Sequence, residues 1–221
     1  MYKRITATLI FSAVLFSSAT AISPSTSIES FWQEDKPKHF TDLQHYEWAA
    51  NSIATLSKWG IIAGYNDELF KPSEYMTRSE FAKIVVSSFG AYDENAEVER
   101  YDNPRNEWYY HYVGSVIQTG IASGYSDEFF GAHDNILRQD IAVMVKRAMD
   151  FADFDMPVVN VKIQYADADE IQDYAKDAVE YLSRRGAFKG DEFGKFNPME
   201  KAERAEIAVL FERVLTMGEP K

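Results

Sequence analysis

Apolar side chains recur at helical spacing at two points in the first of three similar stretches. Ala49, Ile53 and Leu56 share one face of a helix, and Phe81, Ile84, Val85 and Phe89 share one face of another. The second stripe returns as Ile141, Met144 and Val145, and again as Ile207, Leu210, Phe211 and Val214. The pattern predicts a helix, a loop and a helix three times over, with these stripes as core. Gly60, Gly120 and Gly186 stand where the first helix of each unit would need a left-handed C-cap, and Gly64, Gly124 and Gly190 open the tight loop that follows.

The three stretches are copies of one another. Trp48, Gly60, Gly64, Phe70, Arg78 and Glu80 correspond to Trp108, Gly120, Gly124, Phe130, Arg138 and Asp140, and to Tyr174, Gly186, Gly190, Phe196, Arg204 and Glu206. The offset is 60 residues between the first two and 66 between the second and third, with no gap needed. Length varies only in the joining segments GAYDENAEVER and DFADFDMPVVNVK. The repeats are expected at 39–91, 99–151 and 163–217. A two-helix unit of this size cannot close a core alone, so three must pack together. The fold expected is mainly α, three helix-loop-helix repeats around a shared axis.

The first 21 residues break the pattern. MYKR supplies a basic start, ITATLIFSAVLF an apolar run of about a dozen residues, and Ala19-Thr20-Ala21 a small-x-small cleavage site, the features of a secretory signal peptide; the apolar run is short of the ~20 residues that span a bilayer. Residues 22–38 read as a lead-in segment of low structural content, too short for a cargo domain. Cleavage takes two of the 23 basic residues and none of the 35 acidic ones, changing the net charge from −12 to −14. That charge repels nucleic acid phosphates and anionic lipid surfaces, so neither nucleic acid nor membrane insertion is expected, and an anionic ligand needs a local basic pocket. With no cysteine, disulfide frameworks, thiol catalysis and a lipid-modified cysteine are excluded.

Thr77-Arg78-Ser79-Glu80 poses a puzzle. Thr77 and Glu80 match a capping box, but the helix dipole disfavours a cation at Arg78 by a few tenths to ~1 kcal/mol. Arg138 and Arg204 repeat the arrangement, although the cap drifts to Leu137 and Glu203. Two explanations stand: each arginine pairs with an internal carboxylate, or it works with the free amides of the helix N-terminus to hold an external anion. On the second, Arg78→Ala lowers binding and leaves the fold near intact. Trp48, Trp108 and Tyr174 either stack on a sugar ring or cover the edge of the core. Asp42, Asp102 and Asp167, six or seven residues earlier, either cap the first helix or accept from sugar hydroxyls.

The acidic residue, the WA pair, GIIAGY with ND, ELF and KP, and then TRSE together resemble the S-layer homology domain family, as a triplet covering residues 40 to 215. The resemblance implies a pseudo-threefold fold with a central three-helix bundle and three inter-repeat grooves. In that family the grooves bind a pyruvylated secondary cell wall polymer linked to peptidoglycan, so a wall- or S-layer-associated location is expected. Carried over by position, Asp42, Trp48, Gly64, Thr77, Arg78, Asp102, Trp108, Gly124, Arg138, Asp167, Tyr174, Gly190 and Arg204 are the expected glycan-binding residues. Repeat two departs with LRQD and FFGAHD. Repeat three departs with ERAE, placing Glu203 where it neutralises Arg204 or repels a ligand's charge, and with Tyr174 for tryptophan. The first motif is the best match, and one or two grooves are expected to be weak.

No G-x-S-x-G, H-E-x-x-H or P-loop occurs, and His39, His45, His111 and His133 have no metal-binding spacing. DADEIQD, from Asp167, lacks the glycine and closing glutamate of an EF-hand loop. The expectation is a non-enzymatic protein without metal or cofactor, binding a wall glycan. The alternative is a surface scaffold whose partners are other surface proteins.

Overall fold

The computed structural model describes residues 39–98, 103–159 and 162–220. The expected leader and lead-in, and Asp102, lie outside the described residues. The predicted alternation is there: α1 (Glu47–Lys58) and α2 (Arg78–Ser88), α3 (Tyr110–Gln118) and α4 (Arg138–Phe151), α5 (Asp173–Arg184) and α6 (Arg204–Met217). A two-residue antiparallel pair, β1 (Phe154–Asp155) with β2 (Glu219–Pro220), ties the segment after α4 to the segment after α6. No helix among the described residues is long and apolar enough to cross a membrane.

The apolar stripes are all buried, in one continuous core. Gly60, Gly120 and Gly186 take φ of 72°, 72° and 77° just past α1, α3 and α5, the left-handed turn that lets each loop fold back. Gly64 is required for space instead: a Cβ there would lie 2.3 Å from the Phe40 ring.

The repeats interlock. The first helix of each packs on the second helix of another: α3 on α2, α5 on α4, and α1 on α6. The second helices form the centre, where α2 touches α4 and Phe81 meets Phe211 of α6 edge-on at 5.6 Å. Single antiparallel bridges close a ring just before those helices, Thr77 with Asn135, Leu137 with Lys201 and Glu203 with Tyr75.

That ring explains the varied caps. The first free amides of α2, from Arg78 and Ser79, donate to Asp134 O and Ala132 O of repeat two. In α4, Arg138 and Gln139 donate to Glu200 O and Pro198 O; in α6, Arg204 and Ala205 donate to Glu74 O and Pro72 O. Thr77 and Glu80 form the predicted capping box. Repeat three is a correction to the expected drift, because Glu203 itself caps α6 reciprocally with Glu206. Only Leu137 contributes no side-chain cap among these three, and the carbonyls of repeat three stand in for it.

Candidate functional site in the inter-repeat grooves

Each arginine sits at the first position of a second helix, and the loop of the next repeat lies across it. The Nε of Arg78 donates to Phe130 O at 3.2 Å, that of Arg138 to Phe196 O at 2.9 Å, and that of Arg204 to Phe70 O at 3.0 Å. These carbonyls belong to equivalent residues, so the three contacts form a cycle through the molecule. The dipole penalty is thereby offset: the amides that make a helix end positive are already bonded, and the guanidinium faces carbonyl oxygens. The expectation that these amides are free for a ligand is corrected, since neighbouring repeats occupy them.

The rest of the surroundings differ. Arg78 is 4% exposed. Its Nη1 pairs with Asp140 at 3.3 Å, its Nη2 donates to Ser123 O at 3.1 Å, and its guanidinium lies 4.5 Å from the Tyr125 ring centre. Tyr174, itself 56% exposed, reaches across the groove to donate its hydroxyl to Asp140 at 2.6 Å. Burial, and then that bond, push the Tyr174 hydroxyl well above the ordinary tyrosine range. For Arg78 the internal carboxylate is the observed partner, and the side chain is buried and joins two repeats.

Arg138 also has an internal partner, Glu206 at 3.4 Å, but it is more open. Its side chain is 14% exposed, and its Nη2 makes no hydrogen bond among the described residues. It lines a groove of about 270 Å³ with Trp48, Lys189, Gly190, Glu206 and Arg213. Asp191 and Glu200 complete a set of three cations and three carboxylates. Trp48, 56% exposed, is a ring standing in solvent at the groove's edge.

The third groove has Arg204, whose Nη2 donates to Ala63 O at 2.7 Å. It has no carboxylate at ion-pair distance among the described residues, and burial lowers its pKa below the ordinary arginine value. Glu203 does not neutralise it, being engaged in capping α6 and in accepting from the Tyr46 hydroxyl at 3.0 Å. Trp108 is 52% exposed beside Lys83.

The aspartates correct the capping expectation. Asp42 accepts from the amides of Phe70 and Lys71 at 2.9 and 2.7 Å, and Asp167 from Phe196 and Asn197, both at 2.8 Å. Lys71 and Asn197 are held at φ of 59° and 58°, so each carboxylate pins a left-handed kink in its own repeat's loop. The chain turns between Asp42 and the start of α1, which carries Asp42 past the helix end. Thr77 spends its hydroxyl on Glu80, Gly64 and Gly124 are half-buried in their loops, and Gly190 lines the Trp48 groove.

Sequence reading passed over Lys189 and Arg213. Arg213 had a signal, since Glu206, Leu210 and Arg213 share a face of α6 at helical spacing. Lys189 had none, because its place in the groove depends on a contact between repeats.

The S-layer homology domain family matches residues 39–82 and 164–208, the first and third repeats. The chain is similar to S-layer protein EA1 of Bacillus anthracis, 28% identical over 172 residues, 77% of this chain and 19% of that protein. It is similar to an endoglucanase of Bacillus sp. (strain KSM-635), 25% identical over 179 residues, 80% of this chain and 18% of that protein. It is also similar to a cellulosome-anchoring protein of Acetivibrio thermocellus, 26% identical over 115 residues, 50% of this chain and 26% of that protein. The chain thus matches only about a fifth to a quarter of the length of these relatives.

Proposed function

The first and third repeats are S-layer homology domains, and from that premise we propose that the chain attaches non-covalently to an anionic, pyruvylated secondary cell wall polysaccharide, held in its inter-repeat grooves. A cell-surface location follows from the same premise and from the S-layer and cellulosome-anchoring relatives. Catalysis is no part of the proposal, because endoglucanase activity is said of a relative of which this chain matches 18%.

The observation that carries the reading is the Trp48 groove. An indole exposed on one side offers a stacking face for a sugar, and the Arg138 guanidinium beside it has an unused Nη2 for a carboxylate. Lys189 and Arg213, with Arg138, balance the three carboxylates of that groove in a chain of net charge −12. The Arg204 groove, with Trp108, is a second seat. The Arg78 groove is filled by its own side chains and serves to hold the repeats together.

The test is co-sedimentation with purified Gram-positive sacculi, before and after chemical removal of the secondary polymer, with Arg138→Ala and Trp48→Ala alongside. Binding that disappears with the polymer and weakens in both variants supports the reading. A folded protein that binds neither preparation sinks it and leaves a scaffold for other surface proteins.

A further inference from the structure

Repeat two carries a feature the other repeats lack. Trp108 and Tyr112, one helical turn apart, have ring centres separated by 6.2 Å, and Tyr92, from the segment joining α2 to α3, lies on Tyr112 at 4.7 Å and 34°. Lys83 of α2 is 5.7 Å from the centres of both Trp108 and Tyr112. Tyr92 is 44% exposed, so the row reaches solvent at its far end as it does at Trp108. In the other repeats Tyr112 is replaced by Ser52 and Ala178, and Lys83 by Val143 and Val209.

The row leads out of the Arg204 groove. Glu80, whose charge is felt by Arg204, stands one turn before Lys83 on the same side of α2. By repeat equivalence Trp108 holds at the Arg204 groove the place that Trp48 holds at the Arg138 groove, and Lys83, Tyr112 and Tyr92 adjoin it. We infer that Trp108, Tyr112 and Tyr92, with Lys83, form a stacking strip that carries further sugar units of an anionic polysaccharide beyond the groove. This rests on the wall-glycan reading above.

Three observations favour a sugar chain over a protein surface. The strip is built of tyrosine and tryptophan, which present an apolar face and a polar edge together, with no aliphatic side chain among the four residues. Lys83 is exposed and forms no ion pair among the described residues, so its charge is available to an acidic sugar in a chain of net charge −12. The strip is also continuous with a proposed glycan groove, and a polymer leaving that groove passes over it.

Calorimetric titration with two probes tests the inference: the polymer released from purified Gram-positive sacculi, and the single repeating unit prepared from it. Tyr92→Ala is expected to bind the polymer about fivefold more weakly than wild type, a clear shift in Kd, and the single unit unchanged. Tyr92→Phe restores the polymer affinity, and Lys83→Gln gives a smaller, salt-sensitive loss. Polymer binding by Tyr92→Ala equal to wild type overturns the strip, as does equal weakening toward polymer and unit. If wild type binds neither probe, the wall-glycan reading fails first and the strip falls with it. The unfolding midpoint of Lys83→Gln, at an exposed position, is expected to match wild type; that of Tyr92→Ala falls with the lost Tyr112 contact, and its circular dichroism at the titration temperature, matching wild type, separates lost binding from lost fold.

Discussion

The Arg78 and Arg138 grooves are built on the same plan and differ in what surrounds the arginine. In both, an arginine at a helix start donates Nε to the carbonyl of a phenylalanine in the next repeat and pairs with the acidic residue at the third helical position there. Around Arg78 the neighbours add contacts: Ser123 O accepts from Nη2, Tyr125 stacks on the guanidinium, and the Tyr174 hydroxyl donates to Asp140. Around Arg138 the matching ring is Trp48, which has no hydroxyl to bond Glu206, and the loop presents Lys189 and Asp191 where repeat two has Ser123 and Tyr125. At least two replacements accompany the difference: Tyr174 stands where the Arg138 groove has Trp48, and Tyr125 where its loop has Asp191. The motif that looks most complete in sequence, TRSE, is the one whose arginine is least accessible.

The contrast predicts a ranking of effects. The largest is for Arg78→Ala, which removes the cation paired with Asp140 and a donor to the carbonyl of buried Phe130; a loss of about 3–5 kcal/mol in unfolding free energy is expected by denaturant titration. Arg138→Ala, more open and with a half-exposed partner, is expected to lose only about 1–2 kcal/mol, and its main effect is weaker sedimentation with sacculi. Equal destabilisation by the two variants would erase the distinction between closed and open grooves.

Tyr174→Phe removes one bond to a carboxylate and leaves the ring, for an expected loss of about 1 kcal/mol. The smallest effect is alkaline. The folded Tyr174 hydroxyl is raised above its ordinary value of 10.0, so the stabilisation it provides is complete below that pH and is lost as pH rises through the folded value. Wild type should therefore lose a little more stability above about pH 10 than Tyr174→Phe does. If the two alkaline curves are parallel, the Tyr174–Asp140 bond is not what closes that groove.

Much of the fold was legible because its signals are local. Helical periodicity, the glycine that ends each first helix and the constant spacing of the repeats depend on residues near one another in sequence. The site was less so. Asp42 reads as a helix cap on proximity, yet it bonds amides at Phe70 and Lys71, 28 and 29 residues away. Glu203 reads as a neighbour that would blunt Arg204, yet its carboxylate turns to its own helix and to Tyr46. Tyr174 reads as a weakened sugar platform, and it is a hydroxyl donor to Asp140 of another repeat.

The sequence by itself determined that there are three copies of one helical unit, where the helices run, which faces are core, and that an arginine recurs at each second helix start. Those conclusions rest on spacing along a single chain. Only the tertiary structure decided what the arginines touch. Their partners come from the next repeat around a closed ring, and no separation in sequence encodes which side chain will arrive at a given guanidinium. The same interlocking that gives three small units one core therefore also sets what each arginine meets in its groove.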